Sequence, residues 1–561
     1  MKKAISLLLS AAMILSLAAC AGQNEPQTDP ITQPEENVAQ NWEGATTIEL
    51  SDEDVKVTID GILNDVDLND LKVDQKIPCI SNQSNEAAVT VSRDVIYYEE
   101  GHDFTYGEGE EGDGHSAEEA AAHTVVTIIK PGTYVLSGKL SAGQIAVDLG
   151  EDAEEDPEAV VTLVLNGVDV TCTVAPAIIF YNVYECGSDD AETATRNVDT
   201  SAAGANVYIN GGTENNICGS YVARIYKPES VVLSADGTEV EDAKKLHKYD
   251  AAFYSRMSMN VDGDNSGVLR IDAENEGLDS ELHLTINGGT IFIESGNDGI
   301  NTNEDGVSVT TVNGGTLTIM VTGETGEGDG IDSNGWLVLN GGTVAASACN
   351  NSMDAGIDSD MGIHIGEGAT VMAFGHMLDR IEGAEQNYAV FQFGGTQSGE
   401  EEIVLKNADG AGIMADALIN DYSVLIYSSP TLTAGDYTLW SGGTQLGHSG
   451  TQGGGMMGFP GGRPDGQPPE GFDPEDLPQR PNEVEGGKME RPEPPEGFDP
   501  EYMPEFPEGM EPPEGMGMGG GRGPSGMPGM GGMNGGQNAT QAIFTISAKE
   551  NYFSGVGALE Q

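Results

Sequence analysis

Along most of this chain, apolar residues alternate with polar ones in short runs broken by Gly, Asn and Asp. Leu282-His-Leu-Thr-Ile286, Thr290-Ile-Phe-Ile-Glu294, Thr316-Leu-Thr-Ile-Met320 and Trp336-Leu-Val-Leu339 are the clearest cases. A period of two with β-branched residues predicts strands that bury one face. The pattern begins at Thr46, in Thr47–Leu50 and Val55–Ile59, and continues through Ala88–Val91, Val125–Ile129, Gln144–Asp148, Val160–Leu165 and Val207–Ile209. Past Asp360 it returns in Ala369–Phe374, Ala389–Phe391, Ile403–Leu405, Ser423–Tyr427 and Asp436–Trp440.

Two phrases punctuate these strands. Glu276-Gly-Leu-Asp-Ser280, Asp298-Gly-Ile-Asn-Thr302, Asp329-Gly-Ile-Asp-Ser333 and Ala355-Gly-Ile-Asp-Ser359 are variants of the first. The second, Asn-Gly-Gly-Thr, starts at Asn287, Asn313 and Asn340, in steps of 26 and 27 residues. A two-part repeat at such a period marks a solenoid in which each unit is one coil stacked on the last. With strands as the unit and glycine phrases expected at the corners, the prediction is an all-β chain folded as a parallel β-helix over residues 46–451. Coils past Asp360 are expected to be looser. Residues 452–537 are Gly, Pro, Met and Glu, with a near-duplicate Pro-Pro-Glu-Gly-Phe-Asp-Pro-Glu at Pro468 and Pro494. Such a composition buries no core and predicts a long disordered insertion, after which strands in 538–561 close the end of the helix.

Stacking gives the acids of the first phrase a meaning. Equivalent residues of neighbouring coils sit about 4.8 Å apart. In register, Asp279, Asn301, Asp332 and Asp358 form one ladder, and Glu276, Asp298 and Asp329 form another, with Asp354 one place off it. Like charges so close repel and raise one another's pKa. A hard cation removes the repulsion, and carboxylate, amide and turn-carbonyl oxygens are the ligands that Ca²⁺ prefers. The alternative is that Asp and Asn serve only the corner turns and face water. Four recurrences in one frame favour calcium.

The first 19 residues read as a secretory leader: Lys2 and Lys3, then an apolar run from Ala4 to Ala19 that is too short for an ordinary membrane span. Leu17-Ala-Ala-Cys20 is similar to the lipobox of bacterial lipoproteins, which implies export, cleavage before Cys20 and lipid on its sulfur. Residues 20–45 then form a flexible tether. On this reading the protein meets the membrane only through its anchor and stands on the cell surface.

Charge narrows the partners. With 92 acidic and 24 basic residues the formal net charge is −68, which excludes nucleic acid and anionic lipid as natural partners and favours polyvalent cations. Apart from Cys20, the cysteines are Cys79, Cys172, Cys186, Cys218 and Cys349, without metal-site spacing; isolated thiols or one or two bridges are expected. The acidic, Gly-rich insert Gly101–Glu119 holds His102 and His115 and reads as a solvated loop.

Pro131-Gly-Thr-Tyr-Val-Leu-Ser-Gly138, Gln144–Asp148, Leu163-Val-Leu-Asn-Gly167, Ala251-Ala-Phe-Tyr-Ser255 and the two repeated phrases together resemble a bacterial family of carbohydrate-binding β-helix surface proteins. The resemblance covers roughly Val125 to Trp440 and the final strands. It implies a right-handed parallel β-helix like that of pectate lyases, bound calcium, and affinity for cellulose and polygalacturonate-like chains. The calcium ligands it implies are Asp298, Asn301, Asp329, Asp332, Asp354 and Asp358. Where the family carries Ser-Lys-Asp after its corners, this chain keeps the charge at Ser255-Arg256 and loses it at Ser280-Glu281 and Ser333-Asn334.

Three functions fit these residues. The first is a non-catalytic, lipid-anchored polysaccharide binder, with Arg256 for charge and with Tyr254, Trp336 and Phe374 as the aromatics that could stack on sugar rings, although a place in the core or coil stack is the favoured reading of each. The second is a calcium-dependent pectate lyase, whose chemistry requires an Arg or Lys base. Basic residues in the repeat region are few (Lys244, Lys245, Lys248, Arg256, Arg270 and Arg380), and Arg256 and Arg270 flank the first acidic corner. The third is a structural surface protein whose calcium only stabilises the stack. The binder is the favoured reading, with a plant cell-wall glycan, cellulose or pectate, as its ligand.

Overall fold

The computed structural model describes residues 42–81, 86–416, 419–452, 539–547 and 549–559. The leader, Cys20, most of the tether and residues 453–537 of the low-complexity stretch lie outside them. Within the described residues the regular structure is almost entirely strand, with one short α-helix, Ala117–Ala122, capped by the Ser116 side chain.

Three parallel ladders run through the repeats. The first joins Gly132–Leu140, Val161–Cys172, Ala205–Ile209, Met259–Gly263, His283–Ile286, Val309–Val312, Trp336–Leu339, Gly362–Ile365 and Ile381–Ala384. The second takes the end of Val161–Cys172, then Glu214–Gly219, Val268–Ala273, Thr290–Ser295, Thr316–Val321, Thr343–Ser347 and Thr370–Gly375. The third runs from Thr124–Ile128 through Gly143–Asp148, Ile178–Asn182, Ala251–Ser255 and Glu276–Ser280 to Ile300–Thr302. A single bridge, Ile300 to Ile331, carries it onward. Each repeat thus adds one strand to each ladder beside its predecessor.

Strand alternation builds the core. Thr316–Val321 buries Leu317, Ile319 and Val321 and turns Thr316, Thr318 and Met320 outward. Inward positions stack by register: Ile286 on Val312, Leu339 and Ile365, and Ile293 on Ile319, Ala346 and Ala373. Leu278, Ile300, Ile331 and Ile357 belong to the same core and are all 0% exposed. Each such side chain contributes about 1.5–3 kcal/mol on burial. That stack immediately precedes the acids of the repeat phrase in sequence, so the apolar column positions the charged one.

The ends depart from this plan. Thr46–Leu50, Asp54–Ile59 and Ile62–Asp67 pair antiparallel, and Ala87–Ser92 pairs antiparallel with both Ile77–Ile80 and Thr124–Ile128. The strands expected to continue the coils loosely past Asp360 do so only as far as Ile381–Ala384. Tyr388–Gln397, Ile403–Lys406, Gly412–Asp416, Tyr422–Ser428 and Gly435–Ser441 pair antiparallel among themselves. They enclose a second core that includes Phe374, Phe391, Tyr422, Leu439, Phe544 and Phe553. Alternation has the same period in parallel and antiparallel pairs, so the pattern locates these strands without giving their direction. Of the last strands, Phe544–Ile546 pairs with Gly435–Tyr437 and Glu550–Ala558 with Tyr388–Phe393. No disulfide joins cysteines among the described residues.

A carboxylate array on the third ladder

The glycine of the repeat phrase has a different role from the corner turn expected of it. Gly277, Gly299, Gly330 and Gly356 do not have the positive φ of a glycine turn. A Cβ on Gly277 would lie 2.5 Å from the Gly299 carbonyl oxygen, and one on Gly299 would lie 2.6 Å from that of Gly330. Neighbouring repeats approach too closely here for any side chain. The turn glycines are instead those of the Asn-Gly-Gly-Thr phrase: Gly289, Gly315 and Gly342, with φ of 89°, 81° and 74°.

That close approach brings the acids together. Asp279 is in register with Asn301. The backbone N–H of Asp332 donates to the Ile300 carbonyl at 2.9 Å, and that of Asp358 to the Ile331 carbonyl at 2.7 Å, so the column continues through both. Beside it, Asp298 Oδ1 accepts the Asp329 N–H at 2.7 Å and Asp329 Oδ1 accepts the Ala355 N–H at 2.5 Å. Asp354 Oδ2 accepts the Gly328 N–H at 2.6 Å, and Asn301 Nδ2 donates to Glu276 Oε1 at 3.2 Å. Carboxylate oxygens of Asp329, Asp332 and Asp358 lie within 4.8 Å of one another.

Burial and mutual repulsion push these groups toward the protonated state. Burial, then Asp354, Glu327 and Asp358, raises Asp298 to about 7 against the pull of the Asp329 N–H. Burial and Asp358 raise Asp329 to about 9. Asp332 and Asp358 both rise to about 7, through burial first and neighbouring aspartates second. Glu276 and Asp279 are fully enclosed and pushed well above the ordinary carboxylate range for the same reasons. Two oxygens here are buried without a hydrogen-bond partner, Glu276 Oε2 and Asn301 Oδ1. An array made only of oxygen donors, charged, crowded and in part unsatisfied, fits a hard cation such as Ca²⁺.

Acids outside the repeat phrase join it. Asp379 has a buried, unpartnered Oδ2 and raises the pKa of both Asp332 and Asp358. Asp360 acts on the same two residues. At the other end Asp250 binds Lys248 at 2.6 Å. Burial opposes the charge of Lys248, but Asp250, Glu276 and Asp279 hold its ammonium above the ordinary lysine range. Proximity of Asp360 to the last phrase is a usable signal, and so is the place of Asp250–Ser255 one period before the first phrase; Asp379 has none.

The remaining candidates lie apart. Tyr254 is 1% exposed, packs edge-on against Tyr249 and gives its hydroxyl to Glu281, so its ring offers no face to a sugar. Phe374 is 0% exposed and meets Tyr422 in the second core, which removes it likewise. Trp336 is half-buried on the first ladder, between Val309 and Gly362. Arg256 donates to the Tyr181 carbonyl and to Asn182, with Glu154 3.9 Å away. Arg270 covers the Phe292 ring at 4.4 Å. Basic side chains that do meet the array are Lys248, through Asp250, and Arg380, whose charge acts on Asp379. In the Gly101–Glu119 insert, His102 and His115 contact separate glutamates, Glu99 and Glu119.

A family model described as carbohydrate-binding domain-containing protein matches residues 122–445, more than half of the chain. A protein of that description from Acetivibrio thermocellus is 28% identical over 171 residues, which are 30% of this chain and 45% of the relative. The chain therefore spans a little under half the length of that relative. A solved structure described as the polysaccharide lyase-like protein from C. thermocellum, gadolinium derivative, shares 23% identity. It covers 46% of this chain and 85% of its own, with a TM-score of 0.26.

Proposed function

The chain belongs to the family of carbohydrate-binding domain-containing proteins, and from that premise we propose that it is a non-catalytic, calcium-dependent polysaccharide binder. Its three parallel ladders are then the faces of a right-handed parallel β-helix, exported and held at the cell surface by lipid on Cys20. The ligand is a plant cell-wall glycan, cellulose or pectate. The meeting of Asp329, Asp332 and Asp358 carboxylates within 4.8 Å carries the reading. Three crowded, half-buried acids with pKa values of about 7 to 9 are a poor arrangement for a protein unless a cation is expected there.

Asp298, Asn301, Asp329, Asp332, Asp354 and Asp358 would hold the ion, with Glu276 and Asp279 extending the donor set. Bound there, Ca²⁺ supplies the positive charge that lets stacked carboxylates remain ionised and that an acidic glycan requires on a chain of net charge −68. A lyase would use Arg256 or Arg270 as base; the contacts of Arg256 with Tyr181 and Asn182, and of Arg270 with Phe292, favour the binder instead.

The test is retention of the chain on insoluble cellulose and on polygalacturonate, with Ca²⁺ and with chelator, while ultraviolet absorbance follows unsaturated product. Calcium-dependent retention with a flat trace is expected. A rising trace abolished by Arg256→Ala or Arg270→Ala would make the protein a lyase. Retention on neither polymer, with a chelator-sensitive melting temperature, would reduce calcium to a structural role.

A further inference from the structure

The outward side of the first ladder carries a second surface, built from different chemistry. By register, Thr162, Asn206, Asn260, Thr285, Thr311 and Val338 form one column across six successive strands. Beside it Asn287, Asn313 and Asn340 continue the line of Tyr208 and Asp262. The segment Arg196–Ser201 overhangs both columns and encloses a groove of about 830 Å³. Thr200 pins the overhang to the floor: its hydroxyl lies 2.7 Å from both Asn260 Oδ1 and Thr285 Oγ1, and its carbonyl accepts from Asn260 Nδ2 at 2.7 Å. At one end Trp42 packs edge-on against Tyr208, with ring centroids 5.1 Å apart.

Resting on the carbohydrate-binding reading above, we propose that this groove is the seat of an uncharged, linear polysaccharide chain, separate from the acidic array. Its floor is almost free of charge in a protein with 92 acidic residues; Asp262 is the one acid in the two columns. Sugar hydroxyls need paired donors and acceptors, and the amides provide them. Asn313 donates to Asn287 Oδ1 and Asn340 to Asn313 Oδ1, both at 2.9 Å. That bond uses one N–H and one lone pair, and each amide keeps a further one of both for a ligand. Six strands about 4.8 Å apart extend the floor over roughly 24 Å, room for a run of several sugar rings. Trp42 and Tyr208 add the aromatic surface that sugar rings pack on, and the pinned overhang spares the cost of ordering a wall on binding.

The test is titration calorimetry of the full chain with cellohexaose as the neutral probe and hexagalacturonate with Ca²⁺ as the acidic one, repeated with Tyr208→Ala and Thr311→Trp. Thr311 faces outward, so a bulky residue of high strand propensity fills the groove and leaves the core untouched. Both variants are expected to bind cellohexaose at least about tenfold more weakly, with hexagalacturonate affinity unchanged in both and melting temperature unchanged in Thr311→Trp. Equal cellohexaose affinity in parent and variants would overturn the groove and leave the carbohydrate-binding reading standing. A parent chain that binds hexagalacturonate and not cellohexaose would do the same. A parent chain that binds neither would overturn both.

Discussion

The carboxylate of Asp298 accepts the backbone N–H of Asp329, 2.7 Å away and one repeat further along the chain. Asp329 repeats the relation with Ala355. Each acid therefore ties its repeat to the next through one oxygen and has a second oxygen available to a cation. On the calcium reading proposed above, the same groups stabilise the stack when the metal is bound and strain it by repulsion when it is removed.

This double role gives Asp332→Asn an opposed pair of effects. The amide keeps an oxygen and removes a charge, and the chain already accommodates an amide at Asn301 in the same column. Calcium affinity is expected to fall at least about tenfold, since ligand charge sets the affinity of such sites. The melting temperature in chelator is expected to rise, because one repelling carboxylate has gone. A residue with a purely structural role would lower stability in both conditions, so calcium titration with melting curves in Ca²⁺ and in chelator decides the matter.

The pH dependence of the metal-free protein follows from the same acids. In the folded chain Asp298, Asp332 and Asp358 titrate at about 7 and Asp329 at about 9, against an ordinary 3.8. A raised carboxylate pKa means that the folded state holds its proton longer than the unfolded one. The stabilisation is complete below the ordinary value, and is lost as pH rises toward 7 for three of the groups and toward 9 for Asp329. Melting temperature in chelator should fall across that window, and should fall less steeply between 3.8 and 7 in Asp332→Asn, which lacks one of the four groups. In saturating Ca²⁺ the trend should reverse, because ionised carboxylates bind the metal. A flat profile in chelator would mean that the acids are solvated and not stacked.

Much of this arrangement was legible in the residues. The repeated phrase located the acids, and its fixed frame anticipated the pairing of Asp279 with Asn301. Asp379 was not legible, because it reaches the array from a segment with no repeat. Between its two readings, sugar platform and core residue, Tyr254 takes the second: every residue of Ala251–Ser255 is buried, and alternation does not distinguish which face of such a strand meets solvent. The groove is not legible in the residues for a related reason: Trp42 and Arg196–Ser201 have no strand pattern and become neighbours of Tyr208 and Thr285 only through folding.

The glycines of the phrase are testable as contacts between repeats. Gly299→Ala would set a methyl 2.6 Å from the Gly330 carbonyl oxygen and against the Ile319 side chain. Backbone must move to relieve it, with an expected loss of about 3 kcal/mol. Gly212→Ala is the comparison: it has φ of 72° and open space around the added methyl, so its cost is backbone strain alone, about 1 kcal/mol. Denaturant midpoints of the two variants should fall in that order. Equal midpoints would mean that neighbouring repeats move apart at little cost to admit the methyl, and that close approach does not require glycine.

His283 gives a pH effect of the opposite sign. It is 3% exposed, and its Nδ1 accepts the Val309 N–H at 3.1 Å, joining neighbouring strands of the first ladder. Burial pushes its pKa down from 6.5 to about 4. The neutral form belongs to the fold, so the stabilisation is complete above 6.5 and is lost as pH falls toward 4. The difference corresponds to at most about 3 kcal/mol. His283→Leu removes the acceptor and should destabilise the protein near neutral pH by about 1–3 kcal/mol. Because leucine does not titrate, the gap between variant and parent should narrow steadily as pH falls from 6.5 to 4. The carboxylate effects are common to both proteins and cancel in that comparison. Melting curves of the pair at a series of pH values measure the gap; a constant gap would mean that His283 is already charged in the fold.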